Sequence, residues 1–395
     1  MKKSKLIFLC ILYLLFAISV NLVHPITVNY VTSLQLDDSF FGFFVSLMSL
    51  GQVIGAYVFG VLSDKFGRKW MIFIGLLGYC LAQIGFGFIN TNSIVILLFR
   101  FLAGIFVAAP STLFVSMCLD YSNETNKVKN LTIMSTCYIL GTAFGYEIGG
   151  ALYNYASFTI SQVFIFQISF TIISAILFMI SVKDLYLANK KEAVAIENKT
   201  KEKAKVQPIV AMLLIPLMIL TMAQIIINKY LDTYIIHIGY EPAILGHYVL
   251  ISGLFSSVSN VAVIPLIKKI KNKKLAICLI CFVGLSAILT LITFLAKANI
   301  MVLLFTTHML YMIIKGWITP LEQNEIAEYS NENNKGKIAG YRQMILSSGN
   351  VIGPLIGSAI YTKGSPTIFV VAAFIIVLSL ILYLTYFMVK KRKCK

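Results

Sequence analysis

Charge is what this sequence has little of. Of its 395 residues only 12% are Asp, Glu, Lys or Arg, against roughly a quarter in soluble domains. Hydrophobic residues make up 58% and the mean hydropathy is +0.86, which excludes an ordinary water-soluble domain and leaves an integral membrane protein. A G-x-x-x-x-G-K-[ST] phosphate loop is absent, which sets aside ATP-driven transport. No nucleophile–base pair and no cluster of metal-ligating residues stands out, so neither an enzyme, a metal nor a cofactor is expected. The seven cysteines are scattered. Cys278 and Cys281 have C-x-x-C spacing, but inside an apolar run with no histidine nearby they read as helix packing. Lys2, Lys3 and Lys5 precede the first apolar stretch as in a secretory signal, yet no small-x-small cleavage site follows, so this stretch reads as a retained helix.

Apolar runs of about 20 residues are what crossing ~30 Å of hydrocarbon requires. Twelve of comparable strength are present, at 6–33, 39–62, 70–90, 93–118, 130–155, 161–183, 208–236, 243–267, 274–295, 299–324, 337–361 and 366–389. Within lipid the backbone must satisfy its own hydrogen bonds, and segments this long do so as helices. The expected fold class is therefore all-α. Basic residues concentrate in cytoplasmic loops, and alternate loops hold Lys65, Arg68 and Lys69; Lys127 and Lys129; a run from Lys183 to Lys205; Lys268 to Lys274; Lys335 and Lys337; and the tail Lys390 to Lys395. The opposite set holds Lys297 and Lys363. Both termini are thus expected in the cytoplasm, and the net charge of +17 reports topology, with no nucleic-acid partner. The N-x-T triplets at Asn123, Asn130 and Asn198 fall on the cytoplasmic side and read as accidental.

One polar decapeptide occurs twice: YSNETNKVKN from Tyr121 and YSNENNKGKI from Tyr329, 208 residues apart. At the same offset Gly141, Gly145, Gly149, Ala151 and Tyr153 recur as Gly349, Gly353, Gly357, Ala359 and Tyr361. The chain therefore reads as a duplicated half: a six-helix bundle over 1–183, a Lys- and Glu-rich linker over 184–207 and a second bundle over 208–395. Pseudo-symmetric six-helix bundles of this kind commonly enclose a site near the membrane midplane in secondary transporters. Gly51 and Gly55, and the glycines from Gly141 to Gly149, stand at the four-residue spacing that lets helices approach closely.

The loop between the second and third segments reads GVLSDKFGRK. Through Gly60, Asp64, Lys65, Gly67, Arg68 and Lys69 it resembles the signature loop of the major facilitator superfamily, G-x-x-x-D-[RK]-x-G-[RK]-[RK]. The resemblance implies a twelve-helix transporter in which the aspartate contacts the region of the eleventh helix and the loop arginine pairs with an acid at the end of the fourth, here Asp120. Asp64, Arg68 and Asp120 would then form a charge-assisted latch on the cytoplasmic side. The second-half loop, PLIKKIKNKK, places Lys268 and Lys271 where the aspartate and glycine stand, so no latch is expected there.

RFLAGIFVAAP, from Arg100, resembles the R-x-x-x-G pattern of proton-moving members of the superfamily. A charge at this depth is costly, and either it serves function or it snorkels to the surface. GTAFGYEIGG, with Gly141, Gly145, Gly149 and Gly150, resembles the G-x-x-x-G-P-x-x-G-G motif of the drug:proton antiporter branch, but Tyr146 replaces the proline and Glu147 is added. The second-half copy, GNVIGPLIGS, keeps Pro354 between Gly353 and Gly357. Glu147 is the first choice for a proton site, with Arg100 at similar depth as its modulator. The alternative is a permanent Arg100–Glu147 ion pair.

In the second half, Lys229 and Asp232 stand at i, i+3 and meet on one helix face. Asp232 is a second proton candidate. Lys315 lacks a nearby partner in sequence and is read as a substrate contact or as the partner of a carboxylate on another helix. Asn21, His24 and Asn29 around Pro25 are placed in the cavity by the resemblance, which also implies proton-coupled export of small molecules from a bacterial cell membrane, by a monomer. Alternatives are a narrow exporter of an anionic metabolite, metallophore or lipid, suited to Arg100, Lys229 and Lys315, a proton-coupled uptake symporter, and a non-transporting sensor or structural membrane protein, against which the complete loop motif argues.

Overall fold

The computed structural model describes residues 2–37, 39–89, 92–122, 127–182, 208–269, 272–296, 298–329 and 335–393. The linker at 184–207, the centres of both decapeptides and Lys271 lie outside the described residues, as does the side chain of Lys268.

All twelve expected segments are helical. The first is α1 (Lys2–Asn21), a 3₁₀ turn at His24–Ile26, and α2 (Thr27–Ser33). Pro25 has no N–H to continue the ladder, so the helix breaks there, and Thr27 Oγ1 donates to the Val23 carbonyl at 3.0 Å. There follow α3 (Ser39–Phe66), α4 (Arg68–Phe88), α5 (Ser93–Asp120), α6 (Lys127–Asn154) and α7 (Ile160–Ser181). The second half comprises α8 (Pro208–His237), α9 (Pro242–Lys269), α10 (Asn272–Leu295), then α11 (Ile300–Leu303) joined through a π turn at Leu304–His308 to α12 (Met309–Ala327), and finally α13 (Lys335–Ile360) and α14 (Thr367–Lys393). Short side chains fix several starts: Asn92 accepts from the Ile94 amide at 2.9 Å, and Thr159 and Gln162 form a reciprocal capping box.

Large apolar side chains such as Leu81, Ile94, Ile180 and Phe374 are exposed, the outward face expected of a chain solvated by lipid. Among the described residues ten helical stretches are long and apolar enough to cross a membrane. The expectation of twelve segments of comparable strength is corrected by this difference. The two weaker ones are α6 and α13, the repeated pair, whose glycine, serine and threonine content lowers their hydropathy.

The chain divides into two compact units, Met1–Lys199 with Gly239–Leu254, and Thr200–Ile238 with Phe255–Lys395. This departs from a cut at the linker in one element, because the first turns of α9 group with the first unit. In that unit α3 and α5 meet through glycines: a methyl group at Gly51 would lie 2.2 Å from the Phe101 carbonyl oxygen, and one at Gly104 2.1 Å from that of Met48. The glycines of α6 do the same against α1, where a methyl group at Gly149 would sit 1.8 Å from the Leu22 oxygen. Rings of Tyr13, Phe16, Phe114 and Phe178 fill the space between. In the second unit α13 lies on α8: Gly353 approaches Met222, and Gly357 approaches the Tyr230 ring. Tyr230 donates to the Pro354 carbonyl at 2.9 Å, and Phe294 stacks on Phe369 with centroids 3.6 Å apart.

Candidate functional site

The turn between α3 and α4 is built by Gly67, at φ +90 and ψ 154, a conformation essentially restricted to glycine. It brings Arg68 to the first position of α4, where Arg68 Nη1 lies 3.0 Å from Asp120 Oδ2 at the last position of α5. Each charge sits at the helix end that disfavours it, a cation at the positive N-terminus and an anion at the negative C-terminus. Their mutual attraction offsets both. Asp64 is exposed on α3 and engaged by neighbours. Gly60 faces open space.

Arg100 is buried within the first unit, 4% exposed, so it does not snorkel. Its guanidinium lies 4.8 Å from the centroid of the Phe86 ring, a cation–π arrangement, and its charge is sensed by Tyr79, Tyr30 and Tyr146. Tyr30 in turn donates to the Phe86 carbonyl. Close by is an amide network that sequence reading missed: Gln83 Nε2 donates to Gln167 Oε1 at 2.7 Å and Gln167 Nε2 to the Ser19 carbonyl at 2.8 Å, tying α4, α7 and α1 together. Isolated glutamines in apolar segments were the available signal.

Against the alternative of a permanent pair, Arg100 forms no ion pair among the described residues with Glu147. His247 on α9 holds it: Nδ1 lies 2.8 Å from Oε1 and 2.9 Å from Oε2. The other ring nitrogen, Nε2, is 3.1 Å from the Tyr155 hydroxyl, and the Tyr155 and His247 rings stack at 6.2 Å. Small residues permit this approach, because a methyl group at Gly246 would lie 2.9 Å from the Tyr146 carbonyl oxygen and one at Gly150 2.6 Å from that of Pro242. Asn154 Oδ1 accepts from the Ala243 amide at 3.0 Å, satisfying one of the first-turn donors of α9 that a helix leaves unpaired. Successive helical residues project about 100° apart, so Tyr146 and Glu147 serve different neighbours. The Tyr146 ring stacks on His24 at 5.6 Å while Glu147 faces α9.

Asn21 is buried and donates to Thr142 Oγ1 at 3.2 Å, so the structure brings Asn21 and His24 together against α6. In the second unit Asp232 is buried at 3% exposure, and both it and Lys229 are engaged by neighbours. Lys315 lies within electrostatic reach of Lys229, and His308 of Lys315. No carboxylate forms an ion pair with Lys315 among the described residues. A cavity of about 720 Å³ opens elsewhere in the first unit, lined by Tyr30, Tyr153, Asn154 and Phe158 among others, and Glu147 is not part of it.

A chain with a motif-complete loop at Gly60–Lys69, an internal repeat and helices over all twelve expected segments is a membrane transporter for a small molecule. The Major Facilitator Superfamily model matches residues 9–314 and, overlapping, 276–393, and the chain belongs to that family. It is 23% identical over 394 residues to Multidrug resistance protein 2 of Bacillus subtilis (strain 168), covering 96% of each chain. To Quinolone resistance protein NorA of Staphylococcus aureus (strain MSSA476) it is 22% identical over 354 residues, 89% of this chain and 88% of that one. Among solved structures it superposes on the nucleoside transporter NupG with a TM-score of 0.75 at 15% identity, covering 98% of this chain and 100% of that one. On the inward open xylose transporter XylE from E. coli the TM-score is 0.73 at 15% identity, covering 98% and 96%. The fold is thus the major facilitator fold, twelve membrane helices in two pseudo-symmetric six-helix bundles.

Proposed function

We propose that this transporter exports drug-like or amphiphilic small molecules from a bacterial cell, exchanging them for protons by alternating access. Supporting this reading are the full-length likeness to a multidrug resistance protein and the four glycines of the antiporter motif on α6, which lie against α1 and α9. The observation that carries the coupling is Glu147, a carboxylate in a membrane helix held by a histidine. An intramembrane carboxylate is a functional site by default, and its partner here is an imidazole and not a permanently charged lysine or arginine. Arg100 acts at one remove, through Tyr146. Asp232, beside Lys229, is the second carboxylate of the pathway. Arg68 and Asp120, with Gly60, Asp64 and Gly67, are the cytoplasmic latch. The working unit is a monomer of two six-helix halves, joined by the 184–207 linker, with both termini in the cytoplasm.

The test uses everted vesicles holding an acid-inside pH gradient. Addition of lipophilic cations such as ethidium is expected to dissipate part of the gradient as protons leave in exchange. A gradient untouched by lipophilic cations and dissipated by an organic anion would favour the second reading, a narrow anion exporter, for which the proximity of Lys229 and Lys315 speaks. No response to either class would count against export.

A further inference from the structure

Glu147, His247 and Tyr155 form a graded line. Side-chain exposure is 23% at Glu147 and 44% at His247, and Tyr155 is 67% exposed. Tyr155 stands one residue past the end of α6, at the end opposite the lysine-bearing loops and so towards the outer face. Glu147 lies about two turns inside that end. Each of the two links is at hydrogen-bonding distance, 3.1 Å from Tyr155 to Nε2 and 2.9 Å from Nδ1 to the carboxylate. No further hydrogen bond or ion pair to Glu147 or His247 is formed among the described residues. The charged and titratable groups around His247 are therefore Glu147 of α6, Tyr155 just beyond its end and, on its own helix's approach, Tyr240 and Glu241, which precede Pro242.

We propose that Tyr155 and His247 are the path by which Glu147 exchanges protons with the outer aqueous phase, His247 carrying the proton and Tyr155 orienting its ring. This rests on the reading of Glu147 as the proton site. An imidazole bonded through both nitrogens at once can take a proton at one and release another at the other, which a glutamine or a water-filled gap in its place could not do with the same geometry. A proton from outer water arrives at Nε2, directly or across the Tyr155 hydroxyl, and makes the imidazolium. The proton on Nδ1 then passes to a Glu147 oxygen. The imidazole is left neutral with its proton on Nε2, and exchange with water returns it to the Nδ1 form. One proton has moved from water to carboxylate. Neutralising Glu147 also removes the charge that holds imidazolium, so the same event loosens the first turns of α9 from α6. The remaining ties are the Asn154 cap on Ala243 and contacts of small residues such as Gly246 and Gly253, which hold no charge.

The test needs no knowledge of the transported compound. The full-length protein in lipid nanodiscs is subjected to an external pH jump while infrared difference spectroscopy follows the carbonyl stretch of a protonated carboxyl group. Glu147→Gln is expected to remove one such band, which assigns it. His247→Gln, which preserves hydrogen-bonding capacity but carries no proton, is expected to keep the band and slow its appearance about a hundredfold, in the range of a positioned acid–base group. Tyr155→Phe keeps the ring stack and is expected to slow it less. If Glu147→Gln leaves every band in place, the reading of Glu147 as a titrating site falls, and the path with it. If Glu147→Gln removes the band while His247→Gln leaves its rate unchanged, Glu147 stands and the path through His247 is wrong. Should His247→Gln fail to fold, His247→Asn and Tyr155→Phe measured by the same kinetics decide, with unchanged rates in both overturning the proposal.

Discussion

The two copies of the repeated corner keep an acid at the same position and give it different partners. Asp120 and Glu328 stand 208 residues apart, each immediately before its decapeptide. Asp120 is held by Arg68 from the α3–α4 turn at 3.0 Å. Glu328 is held by Lys390 of α14 at 2.6 Å, and that lysine also bridges Glu325. Tyr386 donates to Glu325 and Tyr383 to Glu322, each at 2.6 Å. The loops explain the difference: the first carries the complete motif, and the second has lysines where its aspartate and glycine would stand. One corner thus sets an ion pair at two helix ends that resist it. The other is a cross-linked cluster suited to staying closed. The same contrast runs through α6 and α13, where one glycine ladder carries Tyr146 and Glu147 and the other carries Pro354 and Leu355, the proline carbonyl held by Tyr230.

Substitution in the ladders should have the largest effect. Gly149→Val would drive side-chain atoms into the Leu22 backbone, where nothing can turn aside, at a cost above the ~1–3 kcal/mol usual for overpacking. Gly357→Ala meets the Tyr230 ring, a side chain that can shift, so it is expected to cost less. Thermal unfolding of the two purified variants ranks them, and equal losses would contradict the assignment of backbone contact to Gly149 and side-chain contact to Gly357.

Within the loop motif two glycines are expected to separate. Gly67→Ala forces a β-carbon into a glycine-only conformation at about 1–3 kcal/mol. Gly60→Ala enters open space in a helix and should be neutral or stabilising by roughly 0.5–1 kcal/mol. A third comparison exchanges the charges of the proposed latch. Under the proposed function Asp120→Asn and Arg68→Gln are each expected to slow ethidium efflux from loaded cells, whereas Glu328→Gln, in the cross-linked corner, is expected to leave the rate near that of the parent. The double exchange Arg68→Asp with Asp120→Arg restores a pair and gives each helix end its favoured charge, worth about 0.3–1 kcal/mol per end, so it is expected to raise the melting temperature while efflux stays slow. Smallest is Tyr230→Phe, which removes one hydrogen bond to Pro354 and costs about 1 kcal/mol, read as a lowered melting temperature.

Much of this fold is legible in the order of the residues. Apolar run length marks most of the helices, Pro25 marks the break in the first, and the repeat marks the corners that carry Asp120 and Glu328. Spacing also marks the glycine ladders, because close approach demands small residues at every turn whatever the neighbour. The partners of Glu147 and Arg100 are not legible in the same way. Both lie at similar depth, and depth is all that a run of apolar residues reports. Which residue meets which depends on the rotation of each helix about its axis, and helices that are apolar on most faces carry little record of it. His247 gives no signal of its own for the same reason, a single imidazole in the eighth segment, 100 residues from the carboxylate it holds. The proximity of Lys315 to Lys229 is likewise not legible in the sequence.

Proton coupling through Glu147 is tested most directly by the dissipation of an acid-inside gradient by ethidium in everted vesicles, made side by side for the parent protein and for Glu147→Gln at matched membrane levels. The parent is expected to dissipate the gradient, and the variant to leave it intact while still binding the dye. Dissipation by Glu147→Gln at the parent's rate would contradict this and move the proton site to another carboxylate, with Asp232 the next to substitute.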